Sequence, residues 1–134
     1  PGTLKAISRK NGQEVLTREI HTAGEAAQLA LIPDRPVIHA DGIDLSFVTV
    51  EVRDKAGNLV PDAHPLLRFS VEGDGFIAGS DNGDQNDPVS LKKPERHAFY
   101  GKAIVVQNRG KKGRIRLKVT AEGFPEATTT LQVE

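Results

Sequence analysis

Along residues 46–53 the chain alternates strictly, with Val48, Val50 and Val52 apolar and Thr49, Glu51 and Arg53 polar between them. Period two sends one set to a buried face and the other to solvent, which predicts a strand covered on one side only. The β-branched residues suit such a pleated surface. Asp54, Gly57 and Asn58 follow, residue types that tolerate the left-handed backbone of a tight reversal, and Leu59 and Val60 then resume the apolar pattern. The same alternation recurs three times. Residues 66–72 set Leu67, Phe69 and Val71 against Arg68, Ser70 and Glu72; residues 113–121 set Ile115, Leu117, Val119 and Ala121 against Arg114, Arg116, Lys118 and Thr120; and residues 125–133 place Ala127, Thr129, Leu131 and Val133 on one face.

Shorter strands are predicted at 27–32, ending at the prolines of 33–36 where ladder donors are lost, and at 75–80. A polar loop, 81–94, leads to a further strand at 98–107. No segment holds apolar residues at three-and-four spacing, so almost no helix is expected. About seven strands after residue 23, separated by turns, predict an all-β, immunoglobulin-like antiparallel β-sandwich over 23–134. With neither a disulfide nor a Trp, the pattern leaves the topology open. Before it, runs at 3–9 and 13–22 flank Asn11-Gly12, the dipeptide that most readily makes a type I′ hairpin. The faces of this N-terminal β-hairpin read as poorly differentiated, because Leu4, Ala6, Val15, Leu16 and Ile20 are interspersed with Lys5, Arg9, Arg18 and Glu19. Residues 1–22 are therefore read as the tail of a preceding β domain, joined at 23–25. An isolated hairpin is marginal in water, so it is expected to dock on the sandwich or to pair with a neighbouring molecule.

Composition narrows the function classes. At 134 residues the chain suits one domain that buries about two thirds of its unfolded surface. Lys plus Arg and Asp plus Glu each number 18, so no net field drives it onto nucleic acid, and no apolar run is long enough for membrane insertion. Absence of Cys excludes a disulfide framework and thiolate metal sites while leaving the compartment open. A start at Pro1-Gly2, with no Met and no leader-like segment, is read as a piece of a longer protein.

Candidate chemistry is sparse. Asp81, Asp84 and Asp87 gather oxygen ligands of the kind calcium prefers, but Lys92 stands where an EF-hand needs its bidentate Glu, and turn capping by Asp and Asn is the simpler reading. Glu51, Glu72, Asp74 and Asp81 supply carboxylates for glycoside hydrolysis on paper, yet Glu51 and Glu72 fall at outward positions with no source of the raised pKa a general acid needs. His21, His39, His64 and His97 lack zinc-ligand spacing; His39-x-Asp41 comes nearest, and a polar strand terminus explains it. No nucleophile elbow or phosphate loop occurs, and no cofactor is expected. Arg109, Lys111, Lys112, Arg114, Arg116 and Lys118 form the main single-sign cluster, and Arg114, Arg116 and Lys118 share one outer face. That face reads as a docking surface for an acidic neighbour or anionic glycan, or as a solvated face that discourages edge aggregation. For sugar stacking the candidates are Phe76, Phe99, Tyr100 and Phe124. A regular strand sends Phe99 and Tyr100 to opposite faces, so the expectation is a buried Phe with a Tyr hydroxyl bonded to backbone rather than a common platform.

These residues carry a resemblance. ADGIDLSFVTVEVRDKAGNLVPDA is similar to the opening of bacterial immunoglobulin-like repeats. FSVEGDGFIAGSDNGD, KKPERHAFYGKAIVVQ and GKKGRIRLKVTAEGF, in that order, resemble the C-terminal immunoglobulin-like domain of bacterial β-galactosidases of glycoside hydrolase family two, and GTLKAISRKNGQEV resembles the closing hairpin of the domain before it. The resemblance implies a modular exo-glycosidase whose two catalytic Glu residues lie on an upstream barrel. Neither glutamate motif occurs here, so it implies a non-catalytic fragment whose partners are upstream domains of the same polypeptide, with carbohydrate as a further candidate, and a periplasmic or secreted bacterial parent. The rival readings are an adhesin stalk repeat, supported by 40–61 alone, and a carbohydrate-binding module.

Overall fold

A computed structural model describes residues 1–100 and 102–134, and among these the chain forms eleven strands and no helix. In chain order they are β1 (Thr3–Lys10), β2 (Gln13–His21), β3 (Ala26–Pro33), β4 (Val37–Ile38), β5 (Leu45–Asp54), β6 (Leu66–Gly73), β7 (Gly75–Asp81), β8 (Glu95–His97), β9 (Lys102–Asn108), β10 (Gly113–Thr120) and β11 (Ala127–Val133). β1 and β2 form a sheet of their own. The rest make two packed sheets, one of four strands in the order β3-β5-β9-β7 and one of five in the order β4-β11-β10-β6-β8. This is the sandwich the alternation predicts.

The core is the meeting of two inner faces. From the four-stranded sheet come Val48, Val50 and Val52 of β5 with Ile104 and Val106 of β9; from the five-stranded sheet come Leu67 and Phe69 of β6, Ile115, Leu117 and Val119 of β10, and Leu131 and Val133 of β11, all buried. Every one sits at a position that period two assigns inward. The outer faces differ. Arg68, Ser70, Glu72, Arg114, Arg116, Thr128 and Thr130 project outward from the five-stranded sheet, whereas Ile32 and Phe47 are exposed on the four-stranded one.

Three features depart from the reading of the sequence. The strand expected over 98–107 begins only at Lys102, as β9, which pairs with β5 and β7; residues 98–100 lie in no strand and lead to it from β8, which pairs with β6 in the other sheet, and Gly101 lies outside the described residues. Tyr100 takes φ +52° where the chain leaves one sheet for the other, so alternation does not govern Phe99 and Tyr100. Second, pairing continues through Pro33, opposite Val48, before the ladder lapses and then resumes at β4, which runs parallel to β11 in the opposite sheet, the one parallel strand pair among the described residues. β4 and β8 raise the strands after residue 23 from about seven to nine, and two or three residues are too few for alternation to show. Third, beyond the Asp54 turn Leu59 makes only an isolated bridge to Arg53, so 59–60 is a stub rather than a full strand.

The hairpin turn is as its dipeptide requires, with Asn11 at φ +52° and Gly12 at +81°. It does not dock on the sandwich: every residue of β1 and β2 is exposed and no sandwich strand pairs with them. Its faces stay mixed, as the sequence suggests. Register places Leu4 opposite Ile20, Ala6 opposite Arg18 and Ser8 opposite Leu16, so Leu4, Ala6, Leu16 and Ile20 share one face with Arg18, while Ile7 shares the other with Lys5 and Glu19, which pair at 3.0 Å.

The crossing from β6 to β7 depends on two glycines. Gly73 has φ +94°, and a Cβ there would lie 2.2 Å from the carbonyl oxygen of Arg114; a Cβ on Gly75 would lie 2.6 Å from the Ile115 side chain. Both close approaches bring β7 over β10. Gly73→Ala is therefore expected to cost more than the roughly 1–2 kcal/mol of a left-handed backbone alone, because the obstructing atom is backbone. Urea unfolding of the variant beside Gly123→Ala, in the β10–β11 turn at φ +82° with nothing within 4 Å, separates the two contributions.

Candidate functional site

The carboxylates available for hydrolysis are dispersed. Glu51 lies on the outer face of the four-stranded sheet and takes Arg53 in a fork, 2.8 Å from Nε and 2.7 Å from the terminal nitrogen. Glu72 lies on the outer face of the other sheet, opposite Arg116. The two project away from each other across a sandwich whose sheets stack about 10 Å apart, so they cannot straddle one glycosidic bond as an acid and its partner must. Asp74 sits in the Gly73–Gly75 crossing, its Oδ2 buried and without a hydrogen-bond partner among the described residues. The Oδ1 of Asp81 accepts the N–H groups of Asn82 and Gly83.

The 81–94 loop is organised by a buried cation. Arg96 occupies the inward position of β8 and is 2% exposed. Its guanidinium donates to Asp87 at 2.8 Å, to the Val89 carbonyl at 3.1 Å and to the Ser90 carbonyl at 2.9 Å. Burying a charge requires such partners. Asp87 also accepts the Val89 N–H and an amide hydrogen of Asn82, and the Val89 bond leads the causes that lower its pKa. Asp84 accepts the Asn86 N–H. The three carboxylates proposed for calcium thus serve their own loop and Arg96, and among the described residues no three His, Asp or Glu side chains converge as metal ligands would.

Arg114, Arg116 and Lys118 share the outer face of β10 as alternation places them, but they are not unopposed. Arg116 faces Glu72 across β6, Lys118 lies 3.5 Å from Glu126, and nearby Arg68 lies 3.6 Å from Glu95. At such exposure each pair contributes little. Arg109 instead covers the Phe76 ring, its guanidinium 5.4 Å from the centroid.

Asp54, read from sequence only as a turn residue, ties the turn to the joint. Its Oδ1 accepts the N–H groups of Ala56 and Asn58, and its Oδ2 accepts the N–H of Gly24 at 2.8 Å and the Asn58 side chain at 3.0 Å. The Gly24 bond foremost, then the Asn58 side chain, lowers its pKa from 3.8 to about 2. Asp44 is held at about 2 in the same way, first by the His39 N–H and then by Arg35. Beside the joint runs a groove of ≈ 600 Å³ lined by Ile20, His21, Leu59, Val60 and Pro61 among others.

Two histidines and two aromatics meet at the other end of the loop. His64 Nδ1 lies 3.0 Å from the Ala98 carbonyl and His97 Nδ1 lies 3.1 Å from the His64 carbonyl. The Phe99 and Tyr100 rings pack edge to face with centroids 4.7 Å apart, and Tyr100 is exposed. The expected backbone-anchored Tyr beside a buried Phe is replaced by a half-buried Phe99 and a solvent-facing Tyr100, because the chain is between sheets there. Neither this pairing nor the role of Arg96 was legible beforehand. The one available signal is an Arg flanked by Glu95 and His97 before Ala98, an alternation with a charge at an inward position.

Residues 29–130 match the family described as glycoside hydrolase family 2 C-terminal domain 5. The chain is 50% identical over 135 residues to the β-galactosidase BoGH2A of Bacteroides ovatus, covering all of this chain and 16% of that protein. Among solved structures it resembles a glycosyl hydrolase family 2 member from Bacteroides cellulosilyticus, with TM-score 0.89 and 34% identity over 99% of this chain and 17% of that one. It also resembles a β-glycosidase from Bacteroides vulgatus, with TM-score 0.92 and 27% identity over 99% of this chain and 17% of that one. The chain therefore spans about one sixth of these relatives.

Two outcomes follow from the carboxylates. A folded pKa below the unfolded value stabilises at pH above the ordinary 3.8 and ceases to do so as pH falls through about 2. The unfolding midpoint should decline over that window, and Asp54→Asn, which turns a donor toward the Gly24 N–H, should lower it at neutral pH and flatten the part of the decline not owed to Asp41, Asp44 and Asp87, whose carboxyls are also held below the usual range. Arg96→Met should leave the sheets formed but release the 81–94 loop, read as a loss of amide-exchange protection at Ser80, whose N–H donates to Leu91.

Proposed function

Because the chain belongs to the C-terminal domain 5 family of glycoside hydrolase family 2, we propose that it is the non-catalytic accessory domain of a β-galactosidase-type enzyme, working by packing against upstream domains of its own polypeptide. The observation that carries this reading is the hairpin. Residues 1–28 lie outside the family match, yet solved relatives retain the fold over 98–99% of this chain within polypeptides about six times as long. A two-stranded sheet with every residue exposed and Leu4, Leu16 and Ile20 along one face needs further cover. The preceding domain of the same polypeptide is its occupant, and Asp54, bonded to Gly24 at the joint, sets the angle at which the sandwich hangs from it. Dispersal of Glu51 and Glu72 to opposite outer faces fits a domain that leaves hydrolysis to others. The adhesin-repeat reading rested on 40–61 alone and gains nothing from the family match.

The test is a pair of hairpin substitutions, Leu4→Asp with Ile20→Asp. In the full-length parent they should lower the thermal midpoint and expose the joint at 22–25 to protease, while in the 134-residue chain the sandwich unfolds at an unchanged midpoint. An unaffected parent would sink the packing role. Turnover of a β-galactoside by the 134-residue chain itself would sink the non-catalytic one.

A further inference from the structure

The two outer faces of the sandwich are not alike. On the five-stranded sheet the outward positions Arg68, Ser70, Glu72, Arg114, Arg116 and Lys118 are polar, and among the described residues of its strands only Val37, on the two-residue β4, is a large apolar side chain left exposed. On the four-stranded sheet Ile32 and Phe47 are 41% and 49% exposed. Ile32 pairs with Thr49, two residues along β5 from Phe47, so the two are diagonal neighbours on one face. Leu59 joins them from the other end. It is exposed, and its bridge to Arg53 puts it on the outward side with that residue. A half-buried antiparallel sheet turns polar residues to water, so an apolar outer face marks a surface that something covers.

Leu59 also connects this face to the joint. It lines the ≈ 600 Å³ groove together with Ile20, one of the apolar residues of the hairpin, so hairpin, groove and sheet form one continuous surface. From Arg53, beside Leu59, to Phe47 the face runs about 20 Å along β5, a length that one ordinary domain spans. Charge is confined to pairs and margins. Glu51 and Arg53 neutralise each other in their fork. Asp34, just past β3, accepts the Ser46 hydroxyl and the Phe47 N–H, and Arg109 lies over the Phe76 ring on the edge strand β7. Among the described residues, covering the centre of this face therefore strands no unpaired charge, and an apolar centre with a polar rim is the anatomy of an interface.

We propose that the outer face of the four-stranded sheet, from Leu59 to Ile32 and Phe47, is where the upstream domain that carries the hairpin lies against the sandwich, while the outer face of β6 and β10 stays in water. Continuity selects this occupant: what covers Ile20 at the joint meets Leu59 next. Its contacting surface is apolar and uncharged at the centre, since Ile32 and Phe47 offer neither charge nor a side-chain hydrogen bond. This assignment rests on the packing role and extends it from the hairpin to the sandwich itself.

Phe47→Cys, Leu59→Cys and Arg116→Cys are made singly in the full-length parent and in the 134-residue chain, which has no cysteine of its own, and maleimide labelling of each is timed by peptide mass spectrometry. At a solvent-facing thiol, access sets the rate. In the parent Phe47→Cys and Leu59→Cys should label about tenfold or more slowly than in the 134-residue chain, as sites reached only by local opening do. Arg116→Cys should label equally fast in both. Hydroxyl-radical oxidation of Phe47 in the unsubstituted proteins makes the same comparison without a variant. Equal rates at Phe47→Cys, with protection kept at Leu59→Cys, overturn this surface and leave packing at the joint standing; equal rates at both overturn the packing role as well. Labelling of Phe47→Cys that slows in the 134-residue chain as its concentration rises makes a second copy the occupant and overturns the proposal too.

Discussion

The domain depends on one seam, the contact of two inner faces that nothing covalent holds together. Val48, Val50, Ile104 and Val106 meet Leu67, Ile115, Leu117 and Leu131, each between 0 and 1% exposed. With no cysteine, stability at this seam comes from apolar area and close packing. It also governs register. A slip of one residue in β5 would bring Glu51 and Arg53 inward, and a slip in β10 would bring in Arg114, Arg116 and Lys118, so the pairing is held against the alternatives. The placement of every outward residue, and with it every functional surface, follows from this seam.

Polar groups inside the envelope work at its margins. Arg96 closes the open end beneath β8 by gathering Asp87 and the Val89 and Ser90 carbonyls, which turns a long polar loop into a fixed wall. Asp54 does the corresponding work at the opposite edge, where one carboxylate satisfies its own turn and the N–H of Gly24. Each organises backbone that no ladder reaches, which is why each is buried despite its charge. The consequence is a rigid body with a defined joint on one side and a defined groove on the other. A domain that packs against its neighbours needs the first.

Strands and their inward faces were legible because alternation is local. Ile115, Leu117 and Val119 announce a buried face without reference to any other strand, and Asn11-Gly12 announces its turn by the backbone angles it tolerates. The motifs between 69 and 124 carried the family resemblance for a related reason: turn glycines and inward residues at set spacings are demands of one backbone. The sequence by itself therefore determined the sandwich, the hairpin and the absence of a catalytic glutamate motif. Tertiary structure alone decided where separate segments meet. Glu51 and Glu72 look equivalent in one dimension and stand on opposite faces; residues 98–100 look like strand and are a crossing between sheets. His64 and His97, 33 residues apart, meet because β6 and β8 pair. Such meetings are set by which strands pair and in what register, and these are settled by the burial of the whole inner face, a quantity no short window of sequence contains.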